Sequence, residues 1–360
     1  MAVKGSRSGL KMLLTALTAT GAAAGLWLLI QPSQSRKVTG DSKVVGLYNA
    51  TGNDCFINCI VQALASLESL LDVLRSRKSF TPLNEALEEI LHLLNGQTNR
   101  TQNVNKLVLK LNYAIGRSIQ RSRQQDAHEF LQCLLETLQN QPRTTQFQAL
   151  KQCYKVPFPW PFIGRMRQRV TCGRCLSVSD TYFSTLSLEL SLPPESISKS
   201  WNNLSLSQLL QQNASDSIEG YHCTNCSKKR RVVNGSTVEP TSCTRSLTWT
   251  HLPSILILFL QRSYYDPHRG LERNNCRINY PRKLHASDTD ARSYVLKAVV
   301  VHRGSPSFGH YSCYRTALGS WWLTSDSQTR KVSMSSVLDQ SQKVCILFYE
   351  RESFIAGVDP

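Results

Sequence analysis

Two pairs of cysteines restrict the folds open to this chain more than any other feature. Cys172 and Cys175 form one pair and Cys223 and Cys226 the other; two residues separate the members of each pair, and 47 residues lie between the pairs. This is the spacing of a closed, tetrahedral zinc site with four thiolate ligands, in which the ion is structural. The chain between the pairs must then return on itself. The alternatives are two unrelated pairs and a site that has lost its metal.

Apolar spacing divides most of the chain into a helical first part and a strand-rich second part. Amphipathic helices are predicted where apolar residues recur every three or four positions, at 56–74, 83–94, 104–119 and 125–138. Strands are predicted in alternating or β-branched runs, at 181–192, 254–260, 294–302, 311–316 and 344–349. The polar stretch 195–217 is expected to hold one short helix near 204–210. This order favours an α+β fold with a helical lobe packed on a sheet lobe.

The first 43 residues differ in character from the rest. Residues 12–30 carry no charge and have basic residues on both sides; as a helix they would extend about 28 Å, close to the roughly 30 Å core of a bilayer. We predict a basic tail at 1–11, a transmembrane anchor at 12–30 and a linker at 31–43. A cleaved signal peptide is the competing interpretation, but the apolar run continues beyond the small residues at 22–24. A mitochondrial presequence fits less well, because presequences are amphipathic.

The formal net charge of +17 would suit nucleic acid, an anionic membrane or an acidic protein partner. The basic residues are scattered in short clusters, without an aromatic RNA-binding motif or a zinc finger of the two-cysteine, two-histidine type. We therefore expect no nucleic-acid partner, and a nucleic-acid-binding function rests on charge alone.

A cysteine directly before the first predicted helix is a candidate nucleophile. Cys55 follows the short run GND at 52–54. A thiol at a helix start experiences the positive end of the helix dipole and unpaired N–H groups, and both favour the thiolate. Many core cysteines begin helices, so position alone does not assign a function. A working thiol, like the metal-type pairs, favours a reducing compartment over a disulfide framework for the 12 cysteines.

A histidine at the start of a later strand is the candidate base. His310 follows Gly309 and a turn rich in small residues, where an imidazole can reach a cleft and accept a thiol proton. Its other ring nitrogen needs an orienting acceptor. Ser325 and Asp326 are both candidates, and since adjacent side chains of an extended segment point to opposite faces, only one of them can face the imidazole.

Four sequence boxes resemble those of the ubiquitin-specific proteases. They are GLYN with GNDCFIN at 46–58 (cysteine box), RQQDAHEFL at 123–131 (Gln-Gln-Asp box), LPSILIL at 252–258 (Leu-Pro strand) and HRG with GHYSCY at 302–314 (histidine box). They occur in the family order and cover 46 to about 350. One box could arise by chance, whereas four in order are typical of the family.

The resemblance implies a papain-like cysteine peptidase with thumb, palm and fingers, which cleaves after the C-terminal glycine of ubiquitin. It implies a catalytic domain at 44–351, zinc-binding fingers at about 165–245 and a C-terminal tail at 352–360. Its partners would be ubiquitin and ubiquitinated membrane proteins, and it would need no catalytic cofactor.

The resemblance also implies roles for individual residues. Cys55 would attack the glycine carbonyl to form a thioester, and His310 would carry the thiol proton to the leaving amine. Asp126, with Gln125 and Tyr311, would bind the basic ubiquitin tail, since a carboxylate pairs well with an arginine.

Two positions depart from the usual family pattern. Most members have Asp or Asn where Ser325 aligns. Serine there, together with an N-terminal anchor, is similar to the branch in the outer mitochondrial membrane. We therefore expect Ser325 as the third catalytic residue, with Asp326 as the alternative, and a cytosol-facing domain at the mitochondrial surface, with the endoplasmic reticulum as the alternative membrane.

The second departure concerns the oxyanion donor. The family normally has one residue between the Asn of the cysteine box and its Gly-Asn pair, whereas Ala50 and Thr51 both intervene here. Asn49, Asn53 and the backbone N–H groups near Cys55 all stay open as donors. A protein that holds a ubiquitin fold without cleaving it is the second function to consider; the presence of cysteine, histidine and Gln-Gln-Asp boxes together argues against it.

Overall fold

A computed structural model describes residues 44–76, 81–97, 104–140, 160–193, 204–231, 239–285 and 293–352. The predicted tail, anchor and linker over 1–43 lie outside these ranges, as does 353–360 of the predicted C-terminal tail. Within the described ranges no single helix has the length and apolar character to cross a membrane. The bent pair of helices Cys55–Leu64 and Glu68–Arg75 has that length and composition only when the two helices are counted together.

Five helices come first in the described chain. They are α1 (Cys55–Leu64), α2 (Glu68–Ser76), α3 (Pro82–His92), α4 (Asn105–Ile115) and α5 (Ala127–Asn140). Thr81 caps α3 by accepting a hydrogen bond from the Asn84 amide, and Gly116 ends α4 in the left-handed conformation. A turn at Leu93–Gln97 follows α3, in which the backbone leaves the helical conformation at Asn95 and at Gly96, whose φ is 84°.

The prediction of one helix over 56–74 is wrong, because the chain bends by 82° between α1 and α2. The Ser66 hydroxyl donates to the Ala63 carbonyl (2.6 Å), which competes with the helical hydrogen bonds. The buried Glu350 carboxylate then accepts the Ser69 amide (2.6 Å) and the Glu68 amide (3.3 Å) at the start of α2. An acceptor from the far end of the chain therefore begins the second helix.

A large sheet forms the centre of the second part. Its strands run in the order β15 (Gln328–Val332), β14 (Ser320–Ser325), β13 (Gly309–Ala317), β12 (Tyr294–Gly304), β16 (Val344–Arg351), β7 (Ile255–Gln261) and β3 (Leu188–Ser191), with β11 (Lys283–Leu284) also on β12. All neighbours are antiparallel except β3 and β7, which are parallel.

Both faces of this sheet are buried, so its central strands are apolar without a polar face. On β7, Ile255 and Ile257 join the core beneath the five helices. Leu256 and Leu258 join a second core on the opposite face, which α6 (Leu206–Ala214) helps to cover through Leu209. The predicted α+β class, with helices packed on a sheet, is confirmed.

A second sheet has four strands in the order β2 (Val178–Thr185), β1 (Gly164–Cys172), β6 (Thr241–His251) and β5 (Ser215–Tyr221). The polar stretch 195–217 holds the expected short helix, α6, but it also contains the start of β5, which was not predicted. That strand is exposed along almost its whole length, so it has no alternating apolar face to reveal it.

The remaining elements are short. They are β4 (Leu204–Ser205) with β10 (Ile278–Asn279), the hairpin of β8 (Ser263–Asp266) and β9 (Gly270–Arg273), and the helices α7 (Thr224–Arg231) and α8 (Met334–Leu338).

Candidate active site

The Cys55 thiol lies at the first residue of α1, against strand β13. It is buried, and backbone N–H groups of Tyr311, Phe56 and Cys55 itself point towards its sulfur. Burial raises the pKa of the thiol, with a further contribution from the negative charge of Asp326, and the N–H groups only partly offset this. The expectation that a helix start favours the thiolate is therefore outweighed here by desolvation.

His310 is the residue directly before Tyr311, at the start of β13. Its Nε2 lies 2.8 Å from the Ser325 Oγ at the end of β14, the strand that pairs with β13. Because the cysteine sulfur meets the backbone of Tyr311, the thiol, the imidazole and the serine hydroxyl belong to one cluster. The Nδ1 atom of His310 is the ring nitrogen that Ser325 does not engage.

The Asp326 carboxylate lies in the turn that follows the end of β14 and is directed to partners other than the imidazole. Its carboxylate accepts hydrogen bonds from the side-chain amides of Asn49 (3.0 Å) and Asn58 (2.8 Å), and its carbonyl accepts the Leu47 amide. Its φ of 50° lies in the left-handed region, which turns the chain between β14 and β15. Ser325 and Asp326 thus bind different partners: Ser325 binds the histidine, and Asp326 binds residues on both sides of Cys55.

The two candidate oxyanion asparagines have different surroundings. Asn49 bridges Asp326 and the segment before Cys55, since its Oδ1 accepts the Asp54 amide at 2.9 Å. Asn53 instead donates to the carbonyl of Arg121 at 3.3 Å, in the loop between α4 and α5. The amide of Asn49 is therefore held beside the residues that contact Cys55, and the amide of Asn53 is directed to another loop.

The loop between α4 and α5, residues 116–126, contacts both the segment before Cys55 and the start of β13. Asp126 ends it by capping α5, with the His128 amide at 2.7 Å and the Glu129 amide at 3.0 Å from its Oδ1. This cap explains why α5 begins at Ala127. The Tyr311 hydroxyl lies 3.5 Å from the other carboxylate oxygen of Asp126, and Gln125 is half-buried beside it.

Sequence reasoning missed three residues of this region: Gln124, Asp54 and Arg121. The Gln124 Oε1 accepts the amide of Gly309, the residue before His310, at 2.8 Å. Asp54 and Arg121 form a bidentate ion pair directly before Cys55. Gln124 lies within a recognised box and Asp54 beside the nucleophile, but no local pattern reveals partners that are 185 and 67 residues apart in sequence.

A second histidine, His302, lies on the neighbouring strand β12, paired with Tyr311. The Nδ1 of His302 is 2.7 Å from an Arg273 nitrogen, and its ring is 4.5 Å from that of Tyr311. Burial, together with the charge of Arg273, lowers the pKa of His302 to about 4, so the ring is neutral at physiological pH. A side chain at Gly309 would collide with this ring and with the Arg303 carbonyl, which explains the glycine before His310.

The four predicted metal ligands converge at one end of the four-stranded sheet. The sulfur atoms of Cys172, Cys175, Cys223 and Cys226 all lie within 4.8 Å of one another. The distances are 3.9 Å from Cys172 to Cys226 and 3.6 Å from Cys175 to Cys223. Tetrahedral zinc with bonds of about 2.3 Å requires sulfur atoms about 3.8 Å apart. These two distances match that requirement, so the four thiols are suitable ligands for one zinc ion.

Residues 45–349 match the model of the family described as "Ubiquitin carboxyl-terminal hydrolase". Ubiquitin carboxyl-terminal hydrolase 11 of Schizosaccharomyces pombe is 38% identical over 92% of this chain and 92% of its own length. Ubiquitin carboxyl-terminal hydrolase 16 of Saccharomyces cerevisiae is 27% identical over 81% of this chain and 78% of its own length.

A solved structure shares the fold. The structure titled "SAGA Ubp8/Sgf11/Sus1/Sgf73 DUB module bound to ubiquitin aldehyde" contains a chain that matches with a TM-score of 0.67 and 21% identity, over 92% of this chain and 74% of that one. At this identity the likeness concerns the fold, and the predicted α+β fold of the ubiquitin-specific protease type is confirmed at that level.

Proposed function

This chain belongs to the ubiquitin carboxyl-terminal hydrolase family, and on that premise we propose that Cys55, His310 and Ser325 carry out its reaction. The enzyme is a cysteine-type deubiquitinase. The observation that carries the assignment is the single cluster in which the sulfur of Cys55 meets the backbone of Tyr311, while the neighbouring His310 lies 2.8 Å from Ser325.

The geometry defines a role for each group. With Nε2–H donated to the Ser325 Oγ, the Nδ1 of His310 is left unprotonated to take the proton of the Cys55 thiol. The sulfur then attacks the carbonyl carbon of the last ubiquitin glycine. The bond to the lysine nitrogen breaks, the amine leaves with the proton from His310, and a thioester joins ubiquitin to Cys55. Water, deprotonated by His310, releases ubiquitin with a free carboxylate and restores the thiol.

The raised pKa of Cys55 fits this order of events. A thiol that is neutral in the free enzyme needs a base beside it when substrate binds, and His310 supplies it. A serine acceptor is neutral, so it orients the imidazole and stabilises imidazolium less than a carboxylate would. Orientation is therefore the main contribution of Ser325.

Asn49 is the proposed oxyanion donor, together with the backbone N–H of Cys55. The Asn49 amide nitrogen gives one hydrogen to Asp326, which leaves its second hydrogen for the carbonyl oxygen of the substrate. Asn53 is directed to Arg121 instead. Developing negative charge on the carbonyl oxygen is stabilised best by donors that are already fixed in place.

The ubiquitin tail is proposed to run past Asp126, Gln125 and Tyr311, in the cleft between the helices and β13. Asp126 offers a carboxylate to the basic tail, and the backbone amides of His128 and Glu129 fix its orientation, with the Tyr311 hydroxyl 3.5 Å away. The related module whose structure was solved with ubiquitin aldehyde supports ubiquitin as the ligand of this fold.

Zinc is the proposed occupant of the four-cysteine cluster. Cys172, Cys175, Cys223 and Cys226 would bind it with no open coordination position, so it would stabilise the four-stranded sheet and take no part in the reaction.

We also propose a cellular location for the enzyme. Residues 12–30 anchor the enzyme in the outer mitochondrial membrane with the catalytic domain in the cytosol, where it removes ubiquitin from membrane proteins. The uncharged run and its basic flanks support this placement. A fusion of residues 1–43 to a fluorescent protein should mark mitochondria; a reticular signal would indicate the endoplasmic reticulum, and secretion would contradict an anchor.

Turnover of a fluorogenic ubiquitin amide tests the proposed reaction. The full chain should release the fluorophore, and Cys55→Ala and His310→Ala should each abolish release while still binding ubiquitin. Cys133→Ala, in helix α5, serves as the control thiol and should keep full activity. Binding of ubiquitin by the unaltered chain without turnover would instead indicate a protein that holds ubiquitin without cleaving it.

A further inference from the structure

Asp54, the residue directly before Cys55, is a buried charge with an elaborate set of partners. Its side chain is completely inaccessible to solvent. One carboxylate oxygen accepts the Arg121 Nε (2.7 Å) and the Thr51 hydroxyl (2.7 Å); the other accepts the Arg121 Nη2 (2.6 Å) and the Thr51 amide (3.3 Å). A carboxylate in this position is costly unless all its acceptor sites are used.

The charge state of Asp54 follows from these contacts. Burial alone would raise the pKa of the carboxyl group, but the hydrogen bonds from Arg121 and Thr51 and the charge of Arg121 lower it below the ordinary value. The pair is therefore ionised at physiological pH. Thr51 is one of the two residues that separate Asn49 from Gly52, so the longer segment supplies part of the site.

Arg121 holds the segment before Cys55 at two points. Its guanidinium binds Asp54, and its backbone carbonyl accepts the Asn53 side chain at 3.3 Å. Its own side chain is only 18% exposed. Two successive residues before the nucleophile are thus bound to one residue of the loop between α4 and α5.

Through its backbone hydrogen bonds, Asp54 also holds Asn49 and the start of α1 in place. Its amide donates to the Asn49 Oδ1 (2.9 Å), and its carbonyl accepts the amides of Ile57 and Asn58 (each 2.9 Å) to begin α1. A shift of Asp54 would therefore move both proposed oxyanion donors, Asn49 and the Cys55 N–H. Misplacement of about 1 Å in a catalytic site can cost on the order of 100-fold in rate.

The same loop also contacts the residues on either side of His310. Three residues beyond Arg121, Gln124 accepts the Gly309 amide, and Asp126 lies beside Tyr311. Residues 121–126 therefore connect the nucleophile, the base and the proposed binding carboxylate.

We propose that Arg121 and Asp54 form a positioning pair that fixes the backbone before Cys55 relative to His310 and the ubiquitin tail. The inference rests on the proposed function and adds two residues to it. Neither residue contacts the reacting atoms; both act through Asn49 and the backbone of Cys55.

Arg121→Gln in the full chain is the first test, with the fluorogenic ubiquitin amide as substrate. Loss of the guanidinium leaves the Asp54 carboxylate buried and unpaired, so the segment should shift. We expect kcat to fall by about 10- to 100-fold while KM changes by less than about threefold. Arg117→Gln, an exposed arginine of the same loop, is the control and should leave both constants unchanged.

The double variant Asp54→Asn with Arg121→Gln separates positioning from folding. It replaces the ion pair by two neutral amides of similar shape, so most of the kcat lost in Arg121→Gln should return, a non-additive result typical of coupled residues. Arg121→Lys keeps the charge without the bidentate fork and should give an intermediate kcat. If Arg121→Gln does not fold, the double variant and Arg121→Lys carry the test.

Several results would overturn the proposal. A kcat for Arg121→Gln within about twofold of the unaltered enzyme would do so, as would additive losses in the double variant or a loss that matches the unfolded fraction measured by circular dichroism. Failure of the proposed function would give a different result, because neither the unaltered chain nor any variant at position 121 would then hydrolyse the substrate.

Discussion

At the scale of single residues, the position of Ser325 beside His310 bears most directly on the proposed mechanism. Sequence reasoning could name Ser325 and Asp326 as candidates, and alternation along an extended strand required that only one faces the imidazole. Alternation alone did not decide between them, and the expectation of Ser325 came from the family resemblance. The deciding feature, Asp326 turning at positive φ towards Asn49 and Asn58, is visible only in the structure. The structure places Ser325 at His310; its role stays a prediction.

Ser325→Ala should lower kcat by about tenfold. The variant loses one hydrogen bond worth about 1–1.5 kcal/mol, and each 1.4 kcal/mol corresponds to a factor of ten. Steady-state hydrolysis of the ubiquitin amide measures the effect. Ser327→Ala, an exposed serine two residues further on, is the control. Equal kcat values in the two variants would remove Ser325 from the mechanism.

Asn49→Ala should lower kcat by about 100- to 1000-fold, the usual loss when an oxyanion donor is removed. Asn53→Ala, an asparagine of the same segment that is bound to Arg121, should have a much smaller effect. The two variants are compared in the same assay, with kcat and KM determined separately. A larger loss in Asn53→Ala would reverse the assignment of the donor.

At the scale of elements, helices and strands were predicted well where an apolar pattern repeats over two or more turns. The break between α1 and α2 was not, because Glu350, which begins α2, lies 281 residues beyond Ser69. Strand β5 was missed since it is exposed. The two failures have different causes: a contact from a distant part of the chain outweighs the apolar pattern at the start of α2, and β5 has no apolar pattern to recognise.

The pairing of β12 with β13 buries a histidine that should make stability depend on pH. The pKa of His302 is about 4 in the folded chain, against an ordinary value of 6.5. Between these values the unfolded chain binds more protons, so the free energy of unfolding should fall by about 2–3 kcal/mol as pH decreases from 6.5 to 4. Urea unfolding at several pH values measures this.

His302→Gln should flatten that dependence, because glutamine does not titrate and can still accept from Arg273. Some slope will persist, since burial also lowers the pKa of His128. An unchanged slope in the variant would show that His302 titrates normally when folded.

The four-stranded sheet offers a matched pair of cysteines. Cys172 is one of the four clustered thiols, and Cys243 lies directly opposite it on β6, equally buried but outside the cluster. Cys172→Ala should remove about one bound zinc per chain and increase hydrogen exchange in β1, β2, β5 and β6, whereas Cys243→Ala should change neither. Elemental analysis and exchange mass spectrometry decide this; equal zinc content in both variants would contradict the site.

At the scale of the whole molecule, the order of boxes along the sequence was sufficient for the fold. The cysteine box begins the helical part, the Leu-Pro run becomes central strand β7, and the histidine box becomes β12 and β13. The sequence did not reveal the contacts of the loop between α4 and α5, and these contacts connect three of the regions. Such contacts join residues that no local pattern relates, and the structure alone brings them together.

The central claim is that one of the 12 cysteines, Cys55, attacks the C-terminal carbonyl of ubiquitin. The most direct test is reaction of the full chain with ubiquitin that carries a C-terminal electrophile, followed by mass spectrometry of the peptides. We predict one ubiquitin added per chain, on Cys55, and no addition to Cys55→Ala. Absence of an adduct, or an adduct on any other cysteine, would contradict the account.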